Sequence, residues 1–246
     1  MAIPGRTCAR LVGPPENTQI TLSWLPSKKM VVGQFKLTHY QKNTHKVGNL
    51  YGTTPGGGAY NGGTVFKLRQ GGNGKWTHKV LHSFGKGTDG RKPFAGLIFD
   101  AEGNLYGTTE LGGVYGYGAV IELTQGKSGK WTSKVLHSFN NNGTDGRYPL
   151  YGSLIFDKIG NLYGTTAYGG SGSGCTGEFG LCGIVFELTP SAHGKWTEKV
   201  LHSFVGNGSD GVGPYAGVIL DTAGNLYGTT TAGGANDDGT VFEIIP

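Results

Sequence analysis

Three histidines, His82, His137 and His202, recur in the tetrapeptide LHSF, and an aspartate follows each at seven or eight residues: Asp89, Asp145 and Asp210. A histidine beside a carboxylate is the pairing from which general acid–base catalysis or a metal centre is built. The same pair in every unit is also what a hydrogen bond between strand and turn produces, with the aspartate capping its own Asp-Gly turn. Recurrence favours the structural role. Ser83, Ser138 and Ser203 follow the histidines directly, so a strand sends the two side chains to opposite faces and no Ser–His dyad forms. Asp100, Asp157 and Asp221 precede tight hairpins and read as turn formers. The sequence contains no G-x-S-x-G, H-E-x-x-H or G-x-x-x-x-G-K-[ST], and neither a metal nor a cofactor is expected.

Variation between units concentrates in four loops: 55–63, 110–118, 167–183 and 231–239. Tyr60, Tyr115, Tyr117, Tyr168 and Phe179, with Asp237, are the candidate ligand-binding residues, because flat apolar rings beside directional hydrogen-bonding groups suit a glycan or a protein ligand. The competing role for these rings is as lids packed over Gly-rich loops. A glycan hydrolase or lyase is the enzymatic alternative; it requires Glu110, Glu178 and Asp237 to bring two carboxyl groups about 5–10 Å apart. A purely structural surface array is the third. Asn236, Asp237 and Asp238 lack the spacing of a calcium loop and read as a solvated turn.

The elements that must position these residues come from a repeat. GNLYGTT occurs four times, beginning at Gly48, Gly103, Gly160 and Gly224. Each unit reads as four short β-rich segments bounded by Gly, Asn, Asp or Pro: AGLIFD, NLYGTT, GAVIEL and KWTSKVLHSF in the second unit. AEGN, KIGN and TAGN place glycine where a tight hairpin needs positive φ. Strict alternation puts Trp131, Ser133, Val135, His137 and Phe139 on one face of the fourth strand. The expected fold is all-β, a β-propeller of about four four-stranded blades, because units of this size cannot bury a core alone and radial closure protects sheet edges. Residues 48–246 form the repeat domain; residues 1–47 are atypical, with GQFKLTHYQKNTHKV where a first strand belongs. The last unit stops before a fourth strand, and Gln19–Leu25 is expected to supply it, with Trp24 standing in for Trp76, Trp131 and Trp196.

The motif G-N-L-Y-G-T-T followed by G-G and G-T-V-F-x-L, as in Gly48–Thr54, Gly57, Gly58 and Gly63–Leu68, resembles the GloVer-type repeat of bacterial "choice-of-anchor" tandem-repeat proteins. The resemblance runs from Gly48 to the C-terminus and implies an exported, surface-associated, propeller-like protein. Neither a signal peptide nor a C-terminal anchor is evident in the sequence, which departs from that pattern.

Composition is unusual for a helical enzyme. The 48 glycines sit at fixed places in the repeat, and the formal charge of +5 is spread as separated lysines such as Lys75, Lys79, Lys130 and Lys134, so no nucleic-acid partner is expected. No run approaches 18 apolar residues, and a monomer without a membrane span is expected. Cys175 and Cys182 are spaced for a disulfide or stand as two free thiols.

Overall fold

A computed structural model describes residues 49–174 and 182–246, and the backbone of strands Ala9–Val12, Gln19–Leu22 and Leu37–Tyr40. The described chain is all-β, with each unit forming one antiparallel meander. The first sheet comprises Leu37–Tyr40, Asn49–Thr54, Thr64–Gln70 and Trp76–Ser83. The second comprises Ile98–Phe99, Leu105–Thr109, Ala119–Gln125 and Trp131–Ser138. The third comprises Ile155–Phe156, Leu162–Thr166, Ile184–Pro190 and Trp196–Ser203. The last has three strands, Ile219–Leu220, Leu226–Thr229 and Val241–Ile244. No helix among the described residues is long and apolar enough to cross a membrane.

Leu37–Tyr40 fills the first-strand slot of the first sheet despite its atypical sequence, pairing Leu37 with Gly52 and Tyr40 with Asn49. Gln19–Leu22, expected at the edge of the last sheet, is paired with Ala9–Val12. Among the described strands Val241–Ile244 pairs only with Leu226–Thr229. Trp24 lies outside the described residues.

The core lies between sheets. One apolar cluster joins Tyr51, Val65 and Phe84 of the first unit to Leu97, Leu105, Ile121, Leu123 and Trp131 of the second. Another joins Tyr106, Val120 and Phe139 to Leu162, Ile184, Phe186 and Leu188, and a third joins Tyr163, Val185 and Phe204 to Val218 and Leu226. Each sheet therefore covers its neighbour, as units too small for a private core require. Among the described residues the far face of the last sheet has no such cover: Val241 is 80% exposed, while its counterparts Val65, Val120 and Val185 are fully buried.

The repeat motif is explained by a side-chain network. Asp100 accepts hydrogen bonds from the Asn104 backbone N–H and side-chain amide, and the Tyr106 hydroxyl lies 3.0 Å from both Asp100 and Glu122. Asp157, Asn161, Tyr163 and Glu187 repeat it, as do Asp221, Asn225, Tyr227 and Glu243. The aspartate thus closes its hairpin, as a turn former does, and anchors the tyrosine that crosses to the third strand. In the first unit lysine replaces the glutamate, and Lys67 lies 5.5 Å from the Tyr51 ring centre.

One expectation about faces is corrected. In each four-stranded sheet the pairing of the third and fourth strands shifts at the same place, between Val65 and Phe66, Val120 and Ile121, and Val185 and Phe186. In the second sheet Val135 pairs with Ile121 and His137 with Val120, leaving Leu136 as the extra residue of a β-bulge. The bulge breaks the alternation. Trp131 and Val135 pack toward the first sheet, whereas Leu136 and Phe139 pack toward the third.

Candidate functional site

The loop after each second strand lies beside the loop that follows the previous fourth strand. Gly90–Arg91 pairs with Leu111–Gly112, Gly146–Arg147 with Tyr168–Gly169, and Gly211–Val212 with Ala232–Gly233. The variable loops and the Asp-Gly loops therefore share one side of the molecule, as the strand order predicts.

On this side, aromatic rings from three units form a linked series. Tyr117 and Tyr148 have centroids 5.9 Å apart, Tyr148 and Tyr168 5.7 Å, and Tyr168 and Tyr215 6.2 Å. The hydroxyls of Tyr168 and Tyr215 are hydrogen-bonded at 3.0 Å, and burial pushes the Tyr215 phenol up to about 12, with the Tyr168 hydroxyl adding to the shift. The series continues to Tyr151, 6.3 Å from Tyr215, and on to Phe94, 5.6 Å from Tyr151. The Arg147 guanidinium lies 5.7 Å from the Tyr148 ring and 6.0 Å from that of Tyr168, within cation–π range.

Tyr148 has φ +55°, a left-handed backbone that costs a bulky residue about 1 kcal/mol or more. Gly213, the residue before the corresponding proline of the next loop, has φ +68°. The conformation belongs to the repeat: Lys92, before Pro93, has φ +54°, so two of the three loops hold a non-glycine residue there. The backbone is held there by hydrogen bonds from Tyr148 N–H to Tyr117 O and from Ala167 N–H to Tyr148 O.

Of the residues expected from sequence, Tyr117 and Tyr168 belong to this series. Tyr60 and Tyr115 are exposed at 47% and 56%, with no aromatic ring packed on them among the described residues. Phe179 and Glu178 lie outside the described residues. Asp237 accepts a hydrogen bond from the Gly233 N–H within its own loop, and Glu110 lies 3.5 Å from Lys92. Sequence reasoning missed Tyr148, Tyr151, Tyr215 and Phe94. They precede the short first strands, in RKPF, RYPLY and VGPY, and the aromatic beside each proline was the available signal.

Cys182 is disulfide-bonded and 3% exposed; Cys175 lies outside the described residues.

The histidine–aspartate pairs join strand to turn, as their recurrence suggests. His82 and Asp89 are 2.7 Å apart, His137 and Asp145 3.3 Å, and His202 and Asp210 3.0 Å. Each aspartate also accepts the N–H of its following glycine, at Gly90, Gly146 and Gly211. The seam between the second and third sheets differs from the other two. There Glu198 Oε2 stands 3.7 Å from His137 Nε2, and the ligand atoms of His137, Asp145 and Glu198 lie within 4.8 Å of one another. Glu198 sits opposite Leu188 in the third sheet, the register position that Ser133 holds opposite Leu123 and His78 opposite Leu68. A single-unit change thus adds a carboxyl group to a repeated pair.

A family model described as the Gloeobacter/Verrucomicrobia repeat matches residues 21–242. The chain belongs to the Gloeobacter/Verrucomicrobia repeat family. No curated protein matches it, so the family assignment carries architecture and no activity. In this Gloeobacter/Verrucomicrobia repeat protein the recurrent residues build the sheets and seams, and the units differ at the aromatic series and at Glu198.

That seam makes stability depend on pH. Burial, reinforced by the Asp145 charge and hydrogen bond, outweighs the nearby His137 and pushes the Glu198 carboxyl up to about 7. His137 is lowered by burial, but its bond to Asp145 and the Glu198 charge outweigh this and raise it overall. The unfolded chain releases the Glu198 proton near the ordinary value of 4.5, while the folded chain keeps it to about 7, so stability falls as pH rises between them. The His137 contribution is complete below 6.5 and is lost as pH rises through its higher folded value, which has the same sign. Asp145 is held below its ordinary value mainly by the His137 bond, against the burial that raises it, and acts only at lower pH. In metal-free buffer, denaturation from pH 5 to 8 is expected to show a loss of about 1–2 kcal/mol that Glu198→Gln largely removes. An unchanged pH slope in that variant would refute the assignment.

Proposed function

We propose that this repeat protein is a non-enzymatic β-propeller that binds a glycan across its aromatic loop side. The observation that carries the reading is the linked series Tyr117, Tyr148, Tyr168, Tyr215 and Tyr151, drawn from successive units, with Arg147 against two of its rings. Sugar rings offer flat C–H faces and dense hydroxyls. Tyrosine faces and hydroxyls with a guanidinium complement both, at little conformational cost on binding.

The radial arrangement is supported by Phe94, Tyr151 and Tyr215. Each enters the first strand of successive units, and neighbours in the series are 5.6 Å and 6.3 Å apart, as segments converging on one axis would be. Export to the cell surface is part of the proposal, supported by the choice-of-anchor resemblance.

Tyr151 offers the cleanest test, being 55% exposed. Titration calorimetry with cellohexaose, chitohexaose and laminarihexaose is expected to reveal binding to at least one. Tyr151→Ala is expected to weaken it by about 10-fold, the scale of losing one aromatic contact, with little change in thermal midpoint. Ile159→Ala, on a hairpin turn outside the series and 82% exposed, is expected to leave it unchanged. Binding to none of the three, or equal binding by Tyr151→Ala, contradicts the proposal.

A further inference from the structure

We propose that His137, Asp145 and Glu198 form a site for a divalent cation of the zinc class at the seam between the second and third sheets. The donor set is one imidazole nitrogen and two carboxylates, with water completing the shell, a combination suited to a borderline metal. Donor atoms bound to one tetrahedral zinc ion at 2.0–2.2 Å lie about 3.4 Å apart. His137 Nε2 stands 3.3 Å from Asp145 Oδ2 and 3.7 Å from Glu198 Oε2, so small side-chain shifts bring the three donors onto one ion.

The unsatisfied Glu198 oxygen supports the site. The Glu198 Oε1 atom is buried and has no hydrogen-bond partner, an arrangement that costs free energy unless a proton or cation meets it. The repeat itself preorganises the Asp145 carboxylate, through the N–H groups of Asn140 and Gly146, just as those of Val205 and Gly211 hold Asp210. His137 and Glu198 retain 18% and 14% side-chain exposure, leaving a path for an ion to enter. The bulge at Leu136 is what turns His137 toward the third sheet, where Glu198 lies.

The repeat supplies an internal control. His82 and Asp89 make the same pair, and the register position filled by Glu198 is serine, at Ser133, in the second sheet. Glu198→Ser therefore places on the third sheet a residue that its neighbour already carries at that register. Calorimetric titration with Zn²⁺ in chelator-free buffer at pH 7.5 is expected to show one site per chain. Glu198→Ser is expected to weaken it by about 10-fold or more, as loss of one of three protein ligands does. His193→Ala and His78→Ala, which remove histidines outside the cluster, are expected to leave it unchanged. With Co²⁺, the wild-type protein is expected to develop the intense visible bands of a four- or five-coordinate ion, a readout that needs no variant. Absence of a stoichiometric site, unchanged affinity in Glu198→Ser, loss in His193→Ala or His78→Ala, or a weak octahedral cobalt spectrum would overturn the proposal.

Discussion

Phe139→Ala is expected to destabilise the protein by about 3–5 kcal/mol, the range for truncating a fully buried phenylalanine. Phe139 is wholly buried and directly follows the fourth strand of the second sheet. Its ring packs edge-on against Phe186 of the third sheet at 5.3 Å and against His137 of the preceding strand at 4.8 Å. Truncation opens a cavity in the seam and removes the ring against which the histidine rests. Guanidinium denaturation followed by tryptophan fluorescence measures the loss, because Trp196 borders the same cluster. A cost below about 1 kcal/mol, typical of a surface site, would mean that the second and third sheets do not share a core. The equivalent change in the first seam, Phe84→Ala, is expected to behave alike, since Phe84 is equally buried.

Gly118→Ala is expected to cost about 2–4 kcal/mol through two effects that add, left-handed strain and overpacking. Gly118 has φ +104°, and a Cβ there would stand 2.6 Å from Thr109 O, 2.7 Å from Glu110 O and 2.7 Å from Pro149 Cδ. Two of those atoms are backbone and the third belongs to a ring, so none moves aside cheaply. The position recurs: at Gly183 a Cβ would lie 2.5 Å from Thr166 O and 2.5 Å from Pro214 Cδ. Here the loop leaving the second strand, the start of the third strand and the proline of the next unit converge, which gives the repeat its fixed glycine. Gly72→Ala is the matched control, because a Cβ there meets nothing within 4 Å. Thermal denaturation of the pair is expected to show a large drop for Gly118→Ala and little change for Gly72→Ala.

What the sequence makes legible follows from what the repeat enforces. The strands, hairpins and turn-forming role of Asp100, Asp157 and Asp221 are readable because the same backbone problem is solved in each unit. The His–Asp pairs are readable for the same reason. The face of His137 is not, because a β-bulge adds one residue without leaving the strand, and period-two counting cannot register it. Glu198 is hidden by its setting: in KWTEKVLHSF it resembles one more solvated charge, and only sheet packing brings it to His137. Among the aromatics, Tyr117 and Tyr168 are found by loop variation. Tyr148, Tyr151 and Tyr215 are missed because they sit in proline-bearing approaches to two-residue strands, which read as connection.

Each sheet is held by the sheet that covers it, and hydrogen–deuterium exchange read by mass spectrometry makes that dependence visible strand by strand. Peptides covering Ala119–Gln125 and Ile184–Pro190, central strands covered on both faces, are expected to exchange slowest. Val241–Ile244, with one face open and one edge unpaired among the described strands, is expected to exchange orders of magnitude faster. Equal protection across all three strands would mean that cover by a neighbouring sheet does not set their stability.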